Sequence, residues 1–444
     1  MIGFRRTIRA TLLGIGLLTG LFGCAPALSV VVENSLTPTP PPSSPSIFRV
    51  IIPSLFPHPE SPLSAPPIPL SERQQIFETV WQLVNEHYLY PDFRGQNWPA
   101  LHSEFEPKIA AAKDNAEFYA LLKQLIKQLG DQHSRFLTPP EIITETNSPR
   151  SNEQNYGIGV IERAMPDGLL IQQVFPNSPA AQVGLKPRDR VLTIDGQPYA
   201  PGMRLQGPAG SKVRLTLFRP GEGQSDVVLL RQAVEGRLEP TIRRFENEIG
   251  YLGITTFWAN DLADQVSAAL TDLVVEKPLR GLIIDLRGNP GGWREVLIGL
   301  LSHFVQGEVG TFFDRSHATP LLIKESQAPD LRDLPLVILI DQATASYAEL
   351  FAAILQAEVG AKVIGTPSAG NTETIYSYDL PTGTRLWLAQ EGFSLKKGEN
   401  LEGRGVQPDL LLDVDGLRFS EATDPQILAA RQLLNEKIMQ QKQP

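Results

Sequence analysis

The stretch LPLVILIDQATASYAELFAAILQAEV, residues 334–359, decides the fold. Leu336–Ile340 is a continuous apolar run, the pattern of a strand buried on both faces. Residues 347–358 then follow helical spacing, and Ser346 stands at the joint between the two. A strand that feeds a helix through a short polar turn is the unit of an α/β sheet. Two more runs of the same kind, IGYLGITTF (249–257) and GLIIDLRGN (281–289), precede it, with an amphipathic helix, LADQVSAALTDLV (262–274), between them. Residues 237–430 therefore read as an α/β core. The same joint is chemically loaded. A helix N-terminus offers unpaired N–H groups and a partial positive field, so Ser346 is either an N-cap or a nucleophile.

Working outward, DLRGNPGG (285–292) ends a buried strand in a glycine-rich turn able to carry backbone N–H groups close to a reacting carbonyl. GTPSAGNT (365–372) follows the helix after Ser346. DQHSRF (131–136) comes directly after a helix that Asp114 and Glu117 start and Gly130 ends. An earlier helix is expected from a Ser71–Gln74 capping box with Ile76, Val80, Leu83 and Val84 behind it. From Tyr156 to about Val234 the pattern changes to short strands and turns: GIGVIE, GLLIQQVF, DRVLTIDG and KVRLTLFR.

These motifs resemble the C-terminal-processing (tail-specific) serine peptidases over roughly residues 75–415. Thr344-Ala345-Ser346-Tyr347-Ala348-Glu349 stands for the family's nucleophile signature, and the short-strand segment resembles a PDZ domain at nearly every element. The resemblance implies a crotonase-like α/β peptidase core, an inserted β-rich PDZ domain and an N-terminal helical region. It implies Ser346 as nucleophile, Gly291 and Tyr347 amides as the oxyanion hole, and Gly157, Ile158, Gly159 and Val160 as the loop that receives a peptide carboxylate. One departure is central. Where most of the family carries a catalytic Lys, this chain has Asn371, which has no proton to trade near neutral pH. The tricorn-like and nisin-resistance-like branch instead draws its base from a His in a similar place, which implies His133 here, with Glu402 of LEGRGVQPD as its orienting acid. An imidazole suits that task, since its ordinary pKa lies near working pH. A second departure lies in QPYAPGMRLQ (197–206), too short and too rich in Pro and Gly for the helix that walls a PDZ groove.

The flanks and composition bound the setting. Arg5, Arg6 and Arg9 precede the apolar run TLLGIGLLTGLFG, which ends at Cys24, the only cysteine. Residues 1–23 read as a signal peptide and Cys24 as the lipidated end of an exported, membrane-anchored bacterial lipoprotein. With one Cys, no intramolecular disulfide forms. LTPTPPPSSPS and PHPESPLSAPPIP make residues 24–70 a Pro-rich tether, extended at about 3.1 Å per residue where polyproline-like, with an apolar piece, IFRVIIPSLF (47–56), inside it. The remaining boundaries are 71–150 for the helical region, 151–236 for the PDZ-like domain, 237–430 for the core and 431–444 for a C-terminal tail.

A formal charge of −9 argues against nucleic acid as partner. No His pair at i,i+3 or i,i+4, no Cys cluster and no phosphate-binding or dinucleotide loop is present, so neither metal nor cofactor is expected. Three readings remain: an exported serine endopeptidase acting on polypeptides through Ser346 and His133, a catalytically inactive lipoprotein scaffold that binds polypeptides, and a cleft for an apolar ligand.

Overall fold

The computed structural model describes residues 66–146, 155–200, 202–234, 236–325 and 329–440. The signal segment 1–23, Cys24, the apolar piece 47–56 and most of the tether lie outside the described residues. At 66–69 the chain is already seated on the body: Ile68 is buried, and its N–H donates to Asn115 Oδ1 at 2.9 Å.

A six-stranded sheet is the frame. Its spatial order is Thr241–Arg244, Ile249–Gly253, Gly281–Asp285, Leu336–Ile340, Lys362–Gly365 and Leu410–Leu411. The first pair is antiparallel and all later pairs are parallel. Alternation along the strands splits the apolar runs between two faces. Leu282, Ile284, Ile338 and Ile340 pack with Val266, Leu270, Leu297, Leu300, Leu350 and Phe351, from the helices Leu262–Glu276, Arg294–Leu301 and Tyr347–Val359. Ile283, Val337, Leu339 and Ile364 face the opposite way, against Ile427, Ala430, Leu434 and Ile438. Those four residues belong to the helix Pro425–Gln440. The tail expected at 431–444 is therefore, as far as residue 440, a helix that closes the second face, because its apolar stripe covers strand residues that would otherwise meet water.

A second, antiparallel sheet joins the N-terminal region to this frame. Thr384–Leu395 is its long central strand, flanked by Arg135–Leu137, Gly307–Phe313 and Thr374–Leu380. The helices Leu70–His87, Trp98–Ala111 and Asn115–Lys127 bury Ile76, Phe77, Val80, Trp98 and Phe118 against Leu386 and Leu388 of that strand. Asp114 caps the third helix through Glu117 N–H at 2.8 Å, as the sequence pattern requires. Ser71 caps nothing: the first helix begins at Leu70 behind Pro69, which supplies no side-chain bond. The pairing of Phe136 with Leu386 draws the preceding turn, with His133, toward the core.

Residues 160–230 form a small antiparallel sheet of Val160–Met165, Gly168–Val174, Arg190–Ile194, Lys212–Arg219 and Gly223–Leu230, with its own core around Ile171, Val191, Val213 and Leu215. Its entry and exit strands, Asn155–Gly157 and Gln232–Val234, pair with each other, so the unit is inserted into the chain at one place. Among the described residues of this stretch, 199–200 and 202–206, none is helical. The whole is a mixed α/β fold.

Candidate active site

Ser346 occupies a strained turn. Its φ of 56° and ψ of −132° fall outside the usual regions for a residue with a side chain, at a cost on the order of 1–3 kcal/mol that surrounding bonds must offset. Those bonds are present. The Ser346 N–H lies 2.9 Å from Glu349 Oε2 and 2.9 Å from the Asn371 carbonyl. Glu349, fully buried, also accepts from Ser368 Oγ at 2.5 Å, Gly370 N–H at 2.7 Å and Asn371 N–H at 2.9 Å. Burial pushes its carboxyl above the ordinary range, and these bonds oppose the rise. Its part is to bolt the Ser346 turn to the 368–371 loop.

The turn 288–292 sits directly against this corner. Ala345 N–H donates to Asn289 O at 2.9 Å, and Asn289 Nδ2 to Ile254 O at 2.9 Å. A Cβ on Gly291 would stand 2.6 Å from Ser346 Cβ, and φ is +85°, so only glycine permits the approach. The Gly291 N–H, however, is engaged by Asn289 Oδ1 at 2.9 Å. Gly292 takes the other course: the residues on either side of it bond Phe257, with Phe257 N–H donating to Gly291 O at 2.7 Å and Trp293 N–H to Phe257 O at 3.0 Å. Among the described residues the N–H of Gly292 has no partner, and neither has that of Tyr347, the first residue of its helix. Gly291, expected as an oxyanion donor with Tyr347, thus has its N–H engaged by the Asn289 side chain, whereas the N–H groups of Gly292 and Tyr347 are free of protein partners among the described residues.

His133 lies on the other side of the cleft, 5% exposed. Asp131 does not touch its ring. Instead Asp131 Oδ1 accepts the N–H of His133 at 2.9 Å and of Ser134 at 2.5 Å, which shapes the turn. Ser134 Oγ donates to Asp131 Oδ2 at 2.9 Å and accepts Ala389 N–H at 3.2 Å, fastening the turn to the long strand. His133 Nε2 is 3.4 Å from Glu402. Glu402 Oε2 also accepts Thr372 N–H at 2.8 Å and Thr372 Oγ1 at 3.2 Å. Burial works against ionisation of Glu402, but His133 and Thr372 prevail and hold its carboxyl below the ordinary range.

One neighbour escaped the sequence reading. Glu373, 2% exposed, puts Oε2 3.8 Å from His133 Nε2. Its Oε1 accepts Tyr90 OH at 2.5 Å and Arg94 Nη2 at 3.1 Å. Burial raises its carboxyl above the ordinary range, and the nearby charge of Glu402 adds to the rise. Only its place two residues after Asn371 would have pointed to it. Asn371 supplies no base: its backbone holds Ser346 and Glu349, and its buried Oδ1 has no partner. No hydrogen bond joins His133 to Ser346 among the described residues.

The inserted domain reaches this corner through one charged contact. Arg163 Nη1 donates to Asp341 Oδ2 at 2.9 Å, and Asp341 Oδ1 accepts Gly288 N–H at 2.8 Å. Gly157, Ile158, Gly159 and Val160 line a separate narrow groove with Glu162, Phe175, Leu205, Gln206 and Val234.

The sequence matches the family model for Peptidase family S41 over residues 248–412 and that for the Tricorn protease C1 domain over residues 69–127. A carboxyl-terminal-processing protease of Synechocystis sp. is 26% identical over 368 residues, covering 80% of this chain and 84% of the relative. The carboxy-terminal processing protease CtpA of Bacillus subtilis is 28% identical over 333 residues, covering 70% of each. Among solved structures, the photosystem II D1 C-terminal processing protease has a TM-score of 0.55 at 23% identity, covering 77% of this chain and 93% of that one. A putative S41 protease from Bacteroides fragilis has a TM-score of 0.60 at 17% identity, covering 81% and 97%. The structural likenesses show a shared fold.

Proposed function

We propose that this chain, which belongs to the C-terminal-processing serine peptidases of family S41, cleaves exported or membrane-associated polypeptides through a Ser346–His133 pair. The observation that carries the reading is the meeting of two unpartnered backbone N–H groups, Gly292 and Tyr347, beside a serine forced to positive φ. An oxyanion generated there is met by donors already in position, worth about 3–4 kcal/mol each.

In this mechanism Ser346 Oγ adds to the scissile carbonyl and its proton passes to His133. The tetrahedral oxyanion lies between the Gly292 and Tyr347 amides. His133 then returns the proton to the leaving amine, and the acyl-enzyme is hydrolysed by the same steps with water as nucleophile. Glu402, ionised and bonded to the ring, steadies the imidazolium. The inserted domain fits a PDZ-type module whose 157–160 loop receives a polypeptide end, with a narrow groove beside it. The Arg-rich, apolar N-terminal segment ending at Cys24 supports export and lipid anchoring, with residues 24–70 as tether.

One observation favours a second reading, an inactive polypeptide-binding scaffold. His133 Nε2 faces two glutamates rather than Ser346, so turnover requires the ring's other nitrogen to serve the serine. Incubating the full chain, purified in detergent, with casein separates the two. Cleavage by the wild type, lost in both Ser346→Ala and His133→Ala, is the expected result. Cleavage that survives His133→Ala sinks the Ser–His pairing. A wild type inert toward casein and toward a panel of membrane-protein tails turns the assignment to the scaffold. Palmitate labelling lost in Cys24→Ser tests the anchor.

A further inference from the structure

Beside the His133–Glu402 pair stands a second buried carboxylate, Glu373, that the proposed hydrolysis does not use. Three donors converge from distant parts of the chain: His133 Nε2, a carboxylate oxygen of Glu402 and Glu373 Oε2, all within 4.8 Å of one another. His133 Nε2 is 3.4 Å from Glu402 and 3.8 Å from Glu373 Oε2. In a tetrahedral site with bonds of about 2.0–2.2 Å, neighbouring donors stand roughly 3.3–3.5 Å apart. Of the three edges, His133–Glu402 already has that length, and His133–Glu373 closes with a shift of about half an ångström. Glu373–Glu402, within 4.8 Å, closes with a shift of about 1.5 Å or less on the same geometry.

A second observation points to a ligand. Glu373 Oε2 is buried and has no hydrogen-bond partner, while the rest of its carboxylate is held by Tyr90 and Arg94. An unpartnered buried carboxylate oxygen is costly, and it aims at the space between His133 and Glu402. One imidazole and two carboxylates form a set that suits zinc better than the all-oxygen shell preferred by magnesium or calcium.

We propose that His133, Glu373 and Glu402 bind a zinc ion, with water as fourth ligand, and that the bound zinc switches the peptidase off. Zinc held on Nε2 leaves the proton on the other ring nitrogen, so neither nitrogen can take the hydroxyl proton of Ser346. Arg94 tempers the affinity: its Nη2 lies 3.1 Å from Glu373 Oε1 and 3.9 Å from Glu402 Oε1, and its positive charge opposes a second cation. Binding is therefore reversible. Binding itself rests on this geometry alone, whereas the inhibitory effect rests on His133 being the base.

The test uses the full chain in detergent, free of any histidine tag and stripped with chelator, titrated calorimetrically with zinc chloride and separately with magnesium chloride. The expected result is one zinc per chain and no magnesium uptake. Glu373→Gln and Glu402→Gln, which keep side-chain volume, should each weaken zinc at least tenfold. Casein cleavage should stop at zinc saturation and return on adding chelator. No zinc uptake by the wild type, or wild-type zinc affinity retained in both variants, overturns the site. Zinc uptake that leaves cleavage intact overturns the switch, and with it the role of His133 as base. If no cleavage occurs at any zinc level, the proposed function has failed, and calorimetry alone decides the site.

Discussion

The two sides of the cleft are built on different terms. On the nucleophile side every strained element is tied down: Glu349 receives four hydrogen bonds, and the Ser346 turn is bolted to both the 288–292 and the 368–371 segments. On the base side two carboxylates crowd one imidazole, their pKa values move in opposite directions, and one buried oxygen lacks a partner. The first side is over-determined by bonds among three segments, 288–292, 345–349 and 368–371. The second is assembled from residues 133, 373 and 402, each delivered by a different element. In the proposed mechanism, preorganisation then sits where charge develops in the transition state, and unrelieved electrostatics sit where a proton is exchanged.

That contrast yields expectations of decreasing size. Ser346→Ala should lower kcat by about 10⁶-fold, the effect of losing a serine nucleophile, with folding retained by circular dichroism. Gly291→Ala, a methyl 2.6 Å from Ser346 Cβ, should displace the nucleophile and lower kcat by about 100-fold or more. Wild-type rates in this variant would mean the corner is less rigid than its bonds imply. Glu349→Ala strips the acceptor from four donors and should destabilise the fold by about 3 kcal/mol or more in urea unfolding. Loss of activity without loss of stability would break the view that Glu349 is structural.

The base side should answer to pH instead. Burial raises the folded-state pKa of Glu373, so its contribution to stability is full below the unfolded carboxyl pKa of about 4.3. That contribution is lost as pH rises through the folded value, where a buried carboxylate must ionise. Glu402 has the opposite sign: its folded pKa is lowered, so its contribution holds above about 4.3 and fades as pH falls through the folded value. In Tm measured against pH, Glu373→Gln should flatten the decline on the alkaline side of that point, and Glu402→Gln the decline on the acid side. Identical profiles for both variants would erase the asymmetry. The smallest effect is expected from Arg163→Ala. Its ion pair with Asp341 is partly exposed, so about 1 kcal/mol or less of stability is at stake.

Legibility followed the same divide. The strand–turn–helix around Ser346, the approach of the DLRGN turn and the three fully buried strands were readable because each is a local pattern with a definite period. The choice between Gly291 and Gly292 was not, since it depends on which N–H the Asn289 side chain captures, a matter of one torsion angle. The absence of His pairs at helical spacing argued against a metal set, yet His133, Glu373 and Glu402 come together from three loops that no spacing rule joins. Residues 431–440 looked like a tail because their weak apolar stripe gains meaning only from the strand face it covers.

From the chain alone came the α/β core, the placement of Ser346 at a helix start and the Asn at 371 where most of the family carries a lysine. Those features depend on neighbours along the chain, whose geometry the backbone imposes. Only the tertiary structure decided that Glu402 and Glu373 share His133, that Asn371 contributes its backbone rather than its side chain, and that Gly292 carries the unpartnered amide. These depend on distances of a few ångströms between segments separated by up to about 270 positions, where burial and charge act through space and leave no periodic trace in the chain.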